Sequence, residues 1–170
     1  IAVDKSTLIP RPETEEIVEK TIAMYGPKTP AHVLDLCTGS GCIAIALAKA
    51  WPKAEVTAVD IAATTLTKAQ QNSKDNEVTI NFVETDILKE EPTLPYPFDL
   101  IISNPPYVCY AEAADMEKHV LEHEPHTALF VPDEEPLLFY QAITEYATKA
   151  LKNGGRLYFE INPLYSEEMT

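Results

Sequence analysis

Asn104-Pro105-Pro106-Tyr107 stands directly behind the apolar run Phe98-Asp99-Leu100-Ile101-Ile102-Ser103, and these residue types suit the capture of an amino group on a flat, sp2 system. Leu100 to Ser103 read as a buried strand. Two consecutive prolines stop a strand, because each fixes φ and neither has an N–H to give to the ladder. The break leaves an amide side chain at the strand end and an aromatic ring just beyond it. Backbone carbonyls just before and within the proline pair are left without ladder partners. An amide oxygen and a free carbonyl can take both hydrogens of an –NH2 group while a ring face packs on its plane. A loop stop followed by a surface tyrosine is the plainer account of Pro-Pro taken alone, so the upstream sequence carries weight.

Val33-Leu34-Asp35-Leu36-Cys37-Thr38-Gly39-Ser40-Gly41-Cys42-Ile43-Ala44 reads as a strand, a glycine turn and a helix start. Gly39 and Gly41 permit positive φ and close approach of a ligand to the backbone. Asp60 closes the next strand about twenty residues on, where an acid takes ribose hydroxyls. The pattern also satisfies G-x-G-x-x-A, so it does not separate NAD from S-adenosylmethionine. Asp35 makes the distinction: a carboxylate beside the turn repels a pyrophosphate and suits a cationic ligand such as an amino-acid ammonium group. Asp86 can accept from an adenine amino group while Ile87 packs on the ring. A turn cap is the structural alternative for Asp86.

These residues need a scaffold, and the chain alternates strand-like and helix-like segments, the pattern of an α/β sheet. The spacing predicts a helix from Glu13 to Tyr25, stopped by Gly26-Pro27, with Pro12 at its first position and Glu13 favoured by the helix dipole. Strands follow at His32–Leu36, Glu55–Val59, Ile80–Val83, Leu100–Ser103 and Arg156–Ile161, and helices at Ile43–Ala50, Ala63–Lys74 and Leu137–Leu151. Asn153-Gly154-Gly155 reads as a turn. In a doubly wound sheet the first and fourth strands flank the switch point, so Gly39 and Asn104 face each other across one crevice. Arg11-Pro12 would cover that crevice, with Thr14 or Glu15 near it. Val108–Pro136 is too long for an ordinary βα connection, as functional loops often are.

The chain has 170 residues, enough for one domain with a real core. Its 13 basic and 27 acidic residues give a net charge of −14, which repels phosphate backbones and disfavours broad nucleic-acid binding. No apolar run is long enough to cross a membrane, and residues 1–5 lack the features of a signal peptide. Three cysteines without CxxC spacing argue against a disulfide framework or zinc knuckle and for reduced thiols in the cytoplasm. Cys42 and Cys109 read as small core or loop residues, and Trp51 as a helix-end packing residue. Phe139, Tyr140, Ile143 and Tyr146 form a helical core stripe. His119, His123 and His126 lack accompanying ligands, so no metal is expected.

With these residues in view, the chain resembles the class I methyltransferases, specifically the HemK/PrmC-type glutamine-N5 methyltransferases of release factors. The likeness is carried by Leu8-Ile9-Pro10-Arg11-Pro12-Glu13-Thr14-Glu15, the Asp35–Ala44 loop, Asp60, Asn104–Tyr107, and Glu124-Pro125 with Ala128-Leu129. Asn-Pro-Pro-Tyr is shared with adenine-N6 methyltransferases of DNA and RNA and gives only the amino-methylation class. The Ile9–Glu15 stretch and Glu124-Pro125 with Ala128-Leu129 are much more particular to the HemK group. The resemblance implies a Rossmann-like, doubly wound, mostly parallel sheet, with residues 1–170 as the catalytic domain. It implies S-adenosyl-L-methionine as cofactor, held by Asp35, Cys37, Thr38, Gly39, Ser40, Gly41, Asp60, Ile61, Asp86, Ile87 and Asn104. Asn104, Pro105, Pro106 and Tyr107 would bind and activate a glutamine in the Gly-Gly-Gln loop of class 1 peptide chain release factors. No direct nucleic-acid contact is expected. Cys37 departs from the glycine usual in the family. The family's N-terminal helical domain and last two strands are absent, so truncation at both ends is expected. Competing readings are an adenine-N6 methyltransferase, an NAD-dependent oxidoreductase lacking hydride-handling residues, and a silent binding module.

Overall fold

Alternating strands and helices build the architecture seen in the computed structural model, which describes residues 1–5, 7–95, 97–115 and 125–169. Helix α1 (Pro12–Tyr25) starts with Pro12 at its first position, behind an extended Arg11, and Glu13 and Glu15 lie in its first turn. Pro12 loses nothing there, because its missing N–H would have had no partner inside the helix. Gly26, at φ 54°, closes the helix through its N–H to the Ile22 carbonyl. Strand β1 (His32–Leu36), helix α2 (Cys42–Ala50), strand β2 (Glu55–Asp60), helix α3 (Ala63–Asp75) and strand β3 (Asn81–Glu84) follow. Strand β4 spans Phe98–Ser103, β5 Val108–Cys109 and β6 Phe130–Val131; helix α4 spans Leu138–Ala150 and β7 Leu151–Phe159.

Five of these strands form a wholly parallel sheet in the order β3-β2-β1-β4-β7. The chain winds outward from β1 to β3, then crosses back to place β4 against the other side of β1. That reversal opens a crevice at the carboxyl ends of β1 and β4. Both strands are almost wholly buried, with Val33, Leu34 and Leu36 in β1 and Leu100 to Ile102 in β4 apolar on both faces, as a central parallel strand requires. Val33, Leu100 and Ile102 pack beneath α1 and α2 with Ile43, Leu47 and Trp51. Leu34, Leu36 and Ile101 pack on the other face against Ile143, Tyr146 and Ala147 of α4. Trp51 meets Tyr25 edge-on at 5.3 Å between ring centroids, joining the ends of α1 and α2.

Two segments differ from the sequence expectation. Asn153-Gly154-Gly155, expected as a turn before the last strand, falls inside β7. It forms a bulge there, since Phe98 pairs with Leu151 and Leu100 already pairs with Arg156. Gly154 takes φ 79° there, and a Cβ on Gly155 would meet the Lys152 carbonyl oxygen at 2.9 Å. The glycines thus permit an insertion in a strand rather than a reversal. The Val108–Pro136 connection also contains structure. Strands β5 and β6 pair in parallel, with Val108 opposite Phe130 and Cys109 opposite Val131.

At the opposite end of the sheet, the buried Asp99 carboxylate accepts the Ala31 and His32 N–H groups, each at 2.9 Å, and pairs with Lys152. Removing it strands two N–H donors at the start of β1. Asp99→Ala is expected to lower the unfolding free energy by about 2–3 kcal/mol in urea titration. Lys152→Met, at a half-exposed position, should change it by less than about 1 kcal/mol.

Candidate active site at the strand switch point

Leu36 of β1 lies opposite Ser103 of β4, and the Ser103 hydroxyl donates to the Leu36 carbonyl at 2.6 Å. The two strands therefore end level with each other. A cavity of about 350 Å3 opens above them, and Cys37–Ser40, Asp60, Ile61, Asp86, Ile87, Asn104 and Pro106 line it. Thr7–Pro10 and Thr14 form a wall from the N-terminal side, and Tyr110, Ala128 and Phe130 another from the β5–β6 unit. The sequence expectation that the first and fourth strands bring the glycine turn and Asn104 to one crevice describes this arrangement.

The turn is held from below. The Asp35 carboxylate is fully buried, accepting the Thr38 hydroxyl at 2.6 Å and the Ala44 N–H at 3.2 Å through Oδ2. Its Oδ1 accepts no hydrogen bond among the described residues. Burial pushes the Asp35 carboxyl up to about 7, against the lowering effect of those two donors. Asp35 and Gly41 do not line the cavity. The Asp35 carboxylate thus clasps the turn to α2 instead of presenting itself to a cationic ligand. Gly41, at φ 81°, gives α2 and α3 room, since a Cβ there would meet Ala69 Cβ at 3.2 Å. Gly39 differs: at φ 56° its Cβ would meet nothing within 4 Å, so the space beside it is open to a ligand.

Cys37 takes φ 59°, a left-handed conformation that costs a residue with a Cβ about 1–2 kcal/mol. A glycine would carry no such cost, which gives the unusual cysteine a physical meaning. Burial, and after it the Asp60 carboxylate, push the Cys37 thiol well up from its ordinary range. Cys42 is pushed up to about 11, mainly by burial.

Asp60 braces the turn from β2. Its Oδ2 accepts the Gly39 N–H at 2.9 Å and its Oδ1 the Ala62 N–H at 3.2 Å. Burial raises its pKa against these donors. Each oxygen keeps a second lone pair for a ligand hydroxyl. The exposed Ile61 follows on the cavity wall. Asp86 caps its own turn, accepting the Leu88 N–H at 3.1 Å and pairing with Lys89 at 2.9 Å. The turn-cap account of Asp86 therefore describes its oxygens, although the residue and Ile87 both line the cavity.

Asn104 extends from the end of β4. Its Nδ2 donates to the Thr14 hydroxyl oxygen at 3.1 Å, and Thr14 donates to Glu160 Oε2 at 2.6 Å. Tyr107 donates to Glu160 Oε1 at 2.9 Å. Burial and the neighbouring Glu160 carboxylate raise the Tyr107 phenol, so it stays a hydrogen-bond donor. Pro105 and Tyr107 do not line the cavity, whereas Tyr110 does. Among the described residues no hydrogen bond reaches the Asn104 or Pro105 carbonyl, while Ser103 O accepts the Glu160 N–H at 3.1 Å. Sequence reasoning placed Thr14 near the crevice but missed Glu160. Its only signal was an acid at the end of an apolar strand, followed by Asn162, which binds the Tyr107 carbonyl. The exposed Glu15 does not line the cavity.

Residues 20–127 match the family model of the methyltransferase small domain. The chain belongs to that family. A curated relative in Flavobacterium psychrophilum, named release factor glutamine methyltransferase, is 52% identical over 169 residues, covering 98% of this chain and 59% of the relative. A protein of the same name in Bacteroides thetaiotaomicron is 44% identical over 167 residues, with 98% and 59% covered. The chain thus spans about 59% of the length of these relatives. Among solved structures, the ribosomal protein L11 methylase of Lactobacillus delbrueckii subsp. bulgaricus superposes with a TM-score of 0.64 at 21% identity, over 95% of this chain and 66% of that one. The plantazolicin methyltransferase BpumL, in complex with a triazolic desmethylPZN analog and SAH, gives 0.57 at 20% identity over 87% of this chain and 46% of that one. Similarity at these identities establishes the shared fold.

In this methyltransferase small-domain chain, no described group of three or more His, Cys, Asp or Glu could hold a metal ion. His126 meets Phe130 edge-on at 5.5 Å; His119, His123 and Glu124 lie outside the described residues. No described helix is long and apolar enough to cross a membrane. Two outcomes are expected. Cys37→Gly should keep the unfolding free energy within about 1 kcal/mol of the parent, while Cys37→Ala, which retains the strain and loses the sulfur, should lower it by about 1–2 kcal/mol in urea titration. Asp60→Ala should weaken S-adenosylhomocysteine binding about tenfold or more in calorimetry, and an unchanged affinity would exclude Asp60 from the cofactor site.

Proposed function

We propose that residues 1–170 form the catalytic domain of a methyltransferase that moves a methyl group from S-adenosyl-L-methionine to the N5 amide nitrogen of glutamine. Its target would be the Gly-Gly-Gln loop of class 1 peptide chain release factors. One observation carries this reading: an amide-bearing strand end, Asn104 with Pro106, shares a single cavity with an open glycine turn. The relatives' names supply the substrate class. The net charge of −14 disfavours direct nucleic-acid contact, and three cysteines without CxxC spacing accord with a cytoplasmic setting. An adenine-N6 reading uses the same tetrapeptide but finds no support in the relatives' names or in the charge.

The residues present suit the cofactor. Gly39 and Ser40 would lie along its amino-acid portion, Asp60 would accept ribose hydroxyls, and Asp86 with Ile87 would receive the adenine. When bound, S-adenosylmethionine supplies an electrophilic sulfonium methyl. The chain's own contribution is to place the nucleophile. A carboxamide nitrogen is a poor nucleophile because its lone pair is delocalised into the carbonyl. Asn104 Oδ1 and the Pro105 carbonyl would accept its two N–H hydrogens, pinning the nitrogen and enriching its electron density. Positioning of this kind supplies about 7–11 kcal/mol in the best model systems. No strong base is required beforehand, since the nitrogen becomes acidic only as the new bond forms. Tyr107 serves through its phenol, which ties the proline turn to Glu160.

Labelled cofactor incubated with the full-length protein and a release factor should mark the glutamine of the Gly-Gly-Gln loop, as mapped by peptide mass spectrometry. Methylation of RNA or DNA with none on the release factor would overturn the reading. Asn104→Ala should abolish single-turnover methyl transfer while S-adenosylhomocysteine affinity stays within a few-fold.

A further inference from the structure

The proposed reaction needs the Asn104 oxygen, not its nitrogen, to face the incoming amino group. A carboxamide is nearly symmetrical in shape, so something must choose between its two orientations. We propose that Thr14 and Glu160 are positioning residues that fix the polarity of the Asn104 carboxamide and thereby select a hydrogen-donating amino group as substrate. The inference rests on the function proposed above and concerns two residues outside its cofactor and substrate contacts.

The choice follows from a chain of hydrogen bonds whose direction chemistry fixes. A carboxylate only accepts. Glu160 therefore takes the Thr14 hydroxyl proton on Oε2 at 2.6 Å, and the Tyr107 phenol proton on Oε1 at 2.9 Å. Thr14 has one hydroxyl proton, and it is committed. What remains toward Asn104 is a lone pair, which requires an N–H at the 3.1 Å contact. Asn104 Nδ2 fills that place, and Oδ1 is left to the other side. Reversing the amide would set two oxygens at hydrogen-bond distance with no proton between them.

The chain is anchored at both ends. Thr14 and Glu160 are both buried, at 4% and 8% exposure, so water does not compete for these bonds. Glu160 is held in register by its own N–H on the Ser103 carbonyl at 3.1 Å, and its carbonyl accepts the Tyr140 hydroxyl at 3.1 Å. Thr14 sits in the first turn of α1 and also lines the cavity. A wrong orientation would point an –NH2 group at the substrate's own –NH2, leaving donor facing donor.

The test uses the full-length protein with a Gly-Gly-Gln release factor. Thr14→Val keeps the shape and removes the lone pair. It is expected to lower kcat about 10–100-fold with S-adenosylhomocysteine affinity within about threefold and KM for the release factor within a few-fold. Thr14→Ser, which restores the hydroxyl, should return kcat to within about threefold of the parent. Equal activity of Thr14→Val and the parent would overturn the proposal, as would a loss that Thr14→Ser does not rescue. Should Thr14→Val fail to fold, Glu160→Gln decides, because it offers one acceptor where two hydroxyls donate. A fall in kcat of about tenfold supports the proposal, and a kcat within twofold of the parent overturns it. An inactive parent enzyme would instead reject the underlying function.

Discussion

The parallel pairing of β1 with β4 is the constraint on which the rest of this molecule depends. It sets Leu36 opposite Ser103 and brings two chemically different loops to the same height. One loop is a glycine turn that leaves backbone open; the other is a proline break that ends with an amide. Neither is a site by itself. Their shared position comes from strand register, and the side-chain bond from Ser103 to the Leu36 carbonyl ties the register at the very level where the strands end. A slip of one residue would exchange the side chains packed against α2 with those packed against α4 and offset the two loops.

Around that pairing, carboxylates do the local fastening. Asp35 clasps the glycine turn from beneath, Asp60 braces it from the next strand, Asp99 gathers the backbone at the start of β1, and Glu160 joins α1 to the proline turn. In each case an acid accepts backbone N–H groups at a turn, a helix start or a strand start, or side-chain hydroxyls beside them. Buried polar groups without partners are costly, so a site built from loops needs such fasteners. Many of the chain's acids lie on its surface, but these few are structural.

The sheet was readable because its strands are short apolar runs bounded by glycine and proline, and its helices carry a clear apolar stripe. Cys37, Gly39, Asp60 and Asn104 could be placed near one crevice because strand order follows from the alternation. What escaped the sequence was the direction of side chains. Asp35 looked like a ligand to a cation, yet it belongs to an inward-facing register and finds Thr38 and Ala44. Tyr107 looked like a stacking platform, yet its hydroxyl is drawn to Glu160 from a distant strand. Asn153-Gly154-Gly155 reads as a turn because a bulge uses the same glycines. For Tyr107 and the β7 bulge the partner lies far away in sequence, where local pattern does not reach; for Asp35 it lies within the same turn, and what the pattern left open was which way the carboxylate faces.

The position of Cys37 has a chemical consequence. A thiolate lining a pocket for an alkylating donor would be the softest nucleophile in reach and would invite self-alkylation at sulfur. Burial raises its pKa, and the nearby acids Asp60, Asp35 and Asp86 raise it further. The sulfur is kept in its sluggish protonated form. Burial first, and Asp60 after it, thus keep this sulfur a neutral and weakly nucleophilic part of the cavity wall.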